Sequence, residues 1–366
     1  MKRGRINARQ LFWLAFVSMA ATLVLTVPGE LLRWAGRGAW WTPLAAATPM
    51  VPFAFLVGHA GGRQGDAVAM VRQRLGPVAG RGLLLAVWGA LAIDAAIVSR
   101  EVAEGASTVF VHAVVPVPLL VAIIVATGMW LAWLGPVVMG RVATAIALGF
   151  VITFVLGFVL ATPVLHVLWA RPFLPTDSRF LGTAPMTLSW LWLIEPALVG
   201  ALVMDDVLPS ARARAGTLVA LATAAGAVLL STATWLTIAD FGPVRAAEFA
   251  QPLPHVMQEL PYSLYLEHLD SLVVPVEILT ALVKVGLFLW LWARVSYGLI
   301  DLPTAWLMPA LALINGAASI VLFANDLDLD RSIYGYALYI LPTLLVLFAV
   351  AYLPLGRRTA QSARSV

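Results

Sequence analysis

The chain has 366 residues, 61% of them hydrophobic and only 11% charged, less than half of the roughly 25% charged share of a soluble domain. That excludes a soluble globular enzyme, a disordered chain and a fibrous one. The net charge of +4 comes from Lys and Arg gathered at segment ends rather than along a groove or stripe, which argues against nucleic-acid binding.

A helix needs about 20 apolar residues to cross the hydrocarbon core of a bilayer. Ten such stretches are predicted, near 10–30, 41–60, 82–108, 117–137, 143–168, 186–207, 216–238, 270–298, 303–323 and 335–355. They are continuous apolar runs without the alternation of a β-barrel. The chain is therefore read as one membrane domain over 1–366, all-α and polytopic. The stretch 239–269 is a longer connection, carries Pro243, Pro252, Pro254 and Pro261, and is expected to form short helices over the outer vestibule.

The opening run follows a basic segment and contains Ser18-Met19-Ala20, a weak cleavage pattern. The run from Leu11 to Val27 is long for a signal peptide and nine further spans follow, so it is read as a span. Positive charge favours the cytoplasmic side of a membrane. With the N-terminus inside, the inner segments hold Lys2, Arg3, Arg5, Arg9, Arg63, Arg72, Arg74, Arg81, Arg141, Arg212, Arg214, Arg294, Arg357, Arg358 and Arg364. Asp240, Glu248, Glu259, Glu267, Asp270, Asp326, Asp328 and Asp330 fall outside. Both termini are thus expected to be cytoplasmic. Trp13, Trp34, Trp40, Trp41, Trp169, Trp190 and Trp306 stand at predicted span ends, where an interfacial belt accounts for them. Ten spans divide five plus five, the arithmetic of an inverted-repeat transporter.

Ionisable groups within the hydrocarbon are costly and usually functional. Asp94 lies in span 3, Glu195 in span 6, and Glu277 and Lys284 in span 8. Glu195 precedes Pro196, which removes a helical hydrogen bond and disfavours helical geometry at the residue before it. Two readings fit: a substrate or proton site at a broken helix, or a proline kink with a protonated glutamate bonded to a neighbouring helix. Glu277 and Lys284 are seven residues apart, on one helix face and about 10.5 Å apart along the axis. They cannot pair directly; Asp94 or Glu101 on span 3 are the partners expected for Lys284. Lys284 fits either a proton carrier or cation in the site, or a static tie between helices. Arg100 and Glu104 are at i,i+4 and are expected to form a local ion pair. Ser18, Thr22 and Thr26 form a hydroxyl stripe on span 1, which either lines a pathway or holds helices together.

There is no cysteine, hence no disulfide framework or thiolate metal site. His59, His112, His166, His255 and His268 match no ligand spacing. No nucleophile motif or phosphate loop is present. The chain is read as a non-enzyme without cofactor or bound metal.

Several short segments resemble the spore-germination permeases, the B subunits of nutrient germinant receptors, within the amino acid–polyamine–organocation superfamily. They are Arg9-Gln10-Leu11-Phe12 running to Val27-Pro28 and Gly36 to Trp40; Arg100-Glu101; Glu195 followed by an apolar run and a basic inner loop; Gln251-Pro252-Leu253 and Leu266-Glu267-His268-Leu269-Asp270-Ser271-Leu272; and Lys284 within Leu282-Val283-Lys284-Val285-Gly286-Leu287-Phe288-Leu289. They span nearly the whole chain in the family's order. Ala21 and Leu23 stand where the family usually has glycines, and Ile194 where it has a small residue, which implies a pocket of altered shape.

The resemblance implies the five-plus-five inverted-repeat fold with membrane helices 1 and 6 discontinuous, in the bacterial cell membrane or spore inner membrane. It implies a larger A-type subunit and a lipoprotein C-type subunit as partners, and a small nutrient, typically an amino acid, as ligand. Thr22, Glu195, Pro196, Glu277 and Lys284 are the expected ligand-binding residues, with Asp94, Arg100 and Glu101 as charge partners. Two alternatives remain: a proton-coupled amino-acid permease, and a scaffold subunit with a degenerate pocket.

Overall fold

A computed structural model describes residues 4–23, 26–109, 115–170, 178–249, 251–258, 270–323 and 325–353. Helix α1 (Ala8–Leu23) begins at a reciprocal cap. The Asn7 side chain accepts from the Gln10 amide at 2.9 Å, and the Gln10 side chain accepts from the Asn7 amide at 3.0 Å. Two of the helix's open donors are satisfied in this way. Just before it, Ile6 pairs in parallel with Val207: its amide donates to the Asp206 carbonyl at 2.8 Å, and its carbonyl accepts from Leu208 at 2.9 Å.

Beyond α1 the chain restarts as α2 (Val27–Ala35), with Pro28 in its first turn, where a missing N–H costs nothing. A 3-10 segment, Gly36–Trp41, leads into α3 (Thr42–Gln64). Gly65, at φ +90°, makes the left-handed turn into α4 (Ala67–Val109), which is itself broken at Gly76 (φ +75°) and Pro77. Then come α5 (Val117–Leu134), α6 (Pro136–Ala161), α7 (Thr183–Leu193), α8 (Glu195–Leu202) and the single turn α9 (Pro209–Arg212). Helices α10 (Ala215–Phe241), α11 (Pro243–Glu248) and α12 (Pro252–Gln258) follow. The last three are α13 (Asp270–Ile300), α14 (Thr304–Val321) and α15 (Asp326–Tyr352).

Among the described residues, eight helical stretches are long and apolar enough to cross a membrane, and Ala8–Ala21 and Trp306–Val321 are shorter apolar helices. The expected first span is divided: α1 and α2 are separate helices, and α2 runs on toward α3. The expected connection 239–269 is helical in two places, α11 and α12, while 259–269 lies outside the described residues. Arg33 of α2 donates to the Ala247 carbonyl of α11 at 3.1 Å.

The helices form an inner group and an outer ring. The α7–α8 stretch is 89% buried and Pro275–Ile300 of α13 is 78% buried, against 33% for each of α5 and α6. The ring turns Ile123, Trp133, Ile152 and Val159 outward, each more than half exposed. Such a surface suits hydrocarbon rather than water. Close backbone approach joins the inner elements. A Cβ on Gly61 of α3 would stand 2.6 Å from the Gly200 carbonyl of α8, and one on Gly216 of α10 would stand 2.8 Å from the Phe55 carbonyl of α3. Gly128 of α5 and Gly286 of α13 face each other in the same way. Small residues substitute here for the hydrophobic drive that lipid cannot supply between helices.

Candidate functional site

Helices α7 and α8 meet at Ile194. Its dihedrals stay helical (φ −81°, ψ −21°), and its amide still bonds to the Trp190 carbonyl at 3.0 Å. The joint is thus a one-residue kink rather than an open stretch. Pro196 has no N–H to return to the Trp192 carbonyl, which is why the helix changes course here. The kink puts Glu195 at the first position of α8, fully inside the bundle.

Lys284 of α13 meets it there. The Lys284 Nζ donates to Glu195 Oε1 at 2.8 Å, with both side chains at most 1% exposed. The ammonium also lies 4.5 Å from the centre of the Trp192 ring and 5.5 Å from that of Phe288. Carboxylate and ring faces together form a cation-binding cage. Spacing had pointed to Asp94 or Glu101 as the partner of Lys284. The hydrogen bond goes to Glu195, because the kink at Pro196 brings α8 beside α13, which sequence separation does not reveal.

Asp94 and Glu101 of α4 border the same cage. Asp94 is buried and interacts electrostatically with both Lys284 and Glu195; Glu101 does so with Glu195. Glu101 also accepts from the Thr26 hydroxyl at 3.0 Å, which ties it to the entry of α2. Glu195 Oε2 and Asp94 Oδ1 are buried acceptors with no hydrogen-bond partner among the described residues. Arg100 is ion-paired with Glu104 one turn along α4, as the i,i+4 spacing predicts.

Glu277 is buried on α13, and its Oε2 has no hydrogen-bond partner among the described residues. The Thr22 side chain lies outside the described residues. Of its stripe, Ser18 turns back to the Ala15 carbonyl at 2.9 Å, and Thr26 reaches a neighbouring helix.

A second charged group, missed by the sequence reading, closes one end of the bundle. Arg294 of α13 donates through Nε to Asp66 at 2.7 Å and through Nη2 to Asp205 at 2.7 Å. Asp66 also accepts from the Val68 amide at 2.6 Å. Burial raises the Asp66 carboxyl from its ordinary 3.8 to about 6, against the opposing pull of Arg294. The Tyr352 hydroxyl donates to the carbonyls of Gly65 and Ala201 nearby. The available signal was Arg294 itself, a second cation in the apolar run that carries Lys284. Trp192 and Phe288 were legible too, at i−3 from Glu195 and i+4 from Lys284, on the same helix faces.

Two solved structures with the same architecture are mutants of a manganese transporter from Eremococcus coleocola. Each is 15% identical and covers 93% of this chain and 78% of its own, with TM-scores of 0.62 and 0.61. At that identity the likeness is one of fold. No curated protein matches the sequence. The family model described as spore germination protein matches residues 5–326, nearly the whole chain. A multi-pass helical protein with a transporter fold and a buried charge site between its innermost helices, this chain belongs to the spore germination protein family.

Proposed function

We propose that the chain is the membrane subunit of a spore nutrient-germinant receptor. It binds a small nutrient, an amino acid, at mid-depth and triggers germination. The observation that carries this reading is the buried Glu195–Lys284 pair at the α7–α8 kink. In this reading the bundle has ten membrane helices, in two inverted sets of five. α1–α2 is the discontinuous first helix of one set and α7–α8, interrupted at the Ile194 kink, its counterpart in the other, both termini are cytoplasmic, and A-type and C-type subunits are the partners.

The ligand's ammonium meets Glu195 and its carboxylate meets amides at the start of α2. Thr22, Pro196, Glu277 and Lys284 complete the site, with Asp94, Arg100 and Glu101 balancing charge. A receptor needs only different affinities for two conformations; no transport cycle is required. The manganese of the structural neighbours is not part of this reading. Among the described residues no group of three or more His, Asp or Glu is placed to hold a metal ion, and a lysine ammonium at the centre would repel one.

The transporter fold favours a second reading, a proton-coupled amino-acid permease. Uptake of labelled amino acid into vesicles under an imposed pH gradient separates the two.

Glu195→Gln tests the site. It keeps the shape and removes the charge. Spores carrying it should assemble the receptor at normal level yet need at least tenfold more germinant. An unchanged dose–response curve at normal protein level sinks the assignment and leaves the scaffold reading ahead.

A further inference from the structure

The Glu195 cage holds a cation that belongs to the chain itself. Its parts are those of an ammonium receptor: one carboxylate oxygen at 2.8 Å and two aromatic faces, all desolvated. A lysine reaching this point is an alkylammonium on a four-carbon tether. The cage's acceptors exceed what this one ammonium satisfies, since Glu195 Oε2 and Asp94 Oδ1 are buried and without a hydrogen bond among the described residues. Buried acceptors left in this way are costly and call for a donor.

We propose that Lys284 is a built-in occupant of a primary-ammonium site, and that a ligand ammonium displaces it from Glu195. This rests on the proposed ligand reading and deepens it by naming the feature recognised, a free –NH3+ group. In the state described here Lys284 bridges α13 to α8 and locks the kink. When a ligand ammonium takes Glu195, Lys284 swings toward Asp94, which already feels its charge. The number of positive charges facing the acids rises by one, which the two carboxylates Glu195 and Asp94 accommodate, one for each ammonium. The tie between α13 and α8 is broken at the same moment. Ligand recognition and the change of state thereby become one event, because the ligand competes for the group that holds the resting conformation. An N-acylated or N,N,N-trimethylated ligand is rejected: the first has no positive charge, and the second has no N–H for Glu195.

The test is chemical replacement of the lysine in the purified full chain. Lys284→Ala leaves Glu195 facing a vacated space of alkylammonium size. Methyl-, ethyl- and propylammonium chloride should raise its Tm by a few degrees, growing with the logarithm of concentration. Sodium chloride at equal ionic strength should not. The wild type, whose cage is filled, should show at most a small shift. Adding Glu195→Gln should abolish the amine effect in Lys284→Ala. A folded Lys284→Ala that ignores the amines, or that responds equally to sodium or equally without Glu195, overturns the proposal. Lys284→Met, which keeps the chain length and fills the space, should fold and be indifferent to amines. If neither variant accumulates, with or without amine in the growth medium, the lysine is a structural tie and the proposal is likewise overturned. Loss of amine binding with a retained Glu195→Gln germination defect would defeat only the displacement. An unaltered Glu195→Gln dose response beside intact amine binding would instead defeat the ligand reading.

Discussion

At the scale of the residue, the Glu195–Lys284 pair is one of mutual dependence. Each charge is affordable inside the bundle only because the other is there, and removing one leaves an uncompensated buried ion. Lys284→Met alone should therefore destabilise the purified chain by about 3–5 kcal/mol, and Glu195→Gln, whose amide oxygen still accepts from Lys284, by clearly less, so that the variant still folds and accumulates. The double variant should cost less than the sum of the two, with a coupling of about 0.5–3 kcal/mol. Thermal or chemical unfolding of the four proteins measures it, and strict additivity would show that the two groups do not depend on each other. Spacing made both residues conspicuous, as acids and bases within apolar runs. It did not join them, because their contact depends on the course of α8 after Pro196. Glu277 was equally conspicuous, yet it lies seven positions from Lys284 along α13, too far to share its bond.

At the scale of the element, one end of the bundle is fastened by the Arg294 group and the Ile6–Val207 pairing. Four chain segments meet there: the residues before α1, the α3–α4 turn, the stretch after α8, and α13. Asp66 gives the fastening a pH dependence. Its folded-state pKa of about 6 lies above the ordinary 3.8, so the folded chain holds this proton more tightly than the unfolded one. The stability it contributes is present at low pH and falls as pH rises from about 4 to about 6. Over the same interval Asp66 ionises and its bond to Arg294 becomes one between full charges. The Tm of the wild type, measured relative to Asp66→Asn, should thus decline between about pH 4 and pH 6; a flat or rising difference counts against the assignment. Sequence pattern found neither Asp66 nor Asp205, since an acid in a short inter-helical turn looks like any solvated surface residue. Only their convergence on Arg294 distinguishes them.

At the scale of the whole molecule, Arg37 and Arg214 lie at opposite ends of the bundle. Arg37 precedes α3, whereas the far end of α3 at Gly62 abuts the Arg212 carbonyl just before Arg214. Both are exposed, and the chain has no cysteine of its own. If both termini are cytoplasmic, as proposed, a membrane-impermeant thiol reagent should label Arg37→Cys in intact cells and Arg214→Cys only in inside-out vesicles. The reverse pattern would invert the orientation inferred from the basic residues.

The sequence by itself determined that this is a helical membrane protein, roughly where its helices run, and that several charged residues fall within them. Those properties follow from the cost of moving charge and open backbone into hydrocarbon, and that cost is local to each segment. It also fixed the site of the α7–α8 kink, since Pro196 lacks a backbone donor wherever it is placed. Only the tertiary structure decided that α7–α8 and α13 are the innermost helices, that Lys284 reaches Glu195 across 89 positions of chain, and that Trp192 and Phe288 close around the ammonium. Those facts depend on backbones drawn together at Gly61, Gly200 and Gly216 and at Gly128 and Gly286. Close approach of that kind is a property of pairs of surfaces, and a single run of residues records only one surface of each pair.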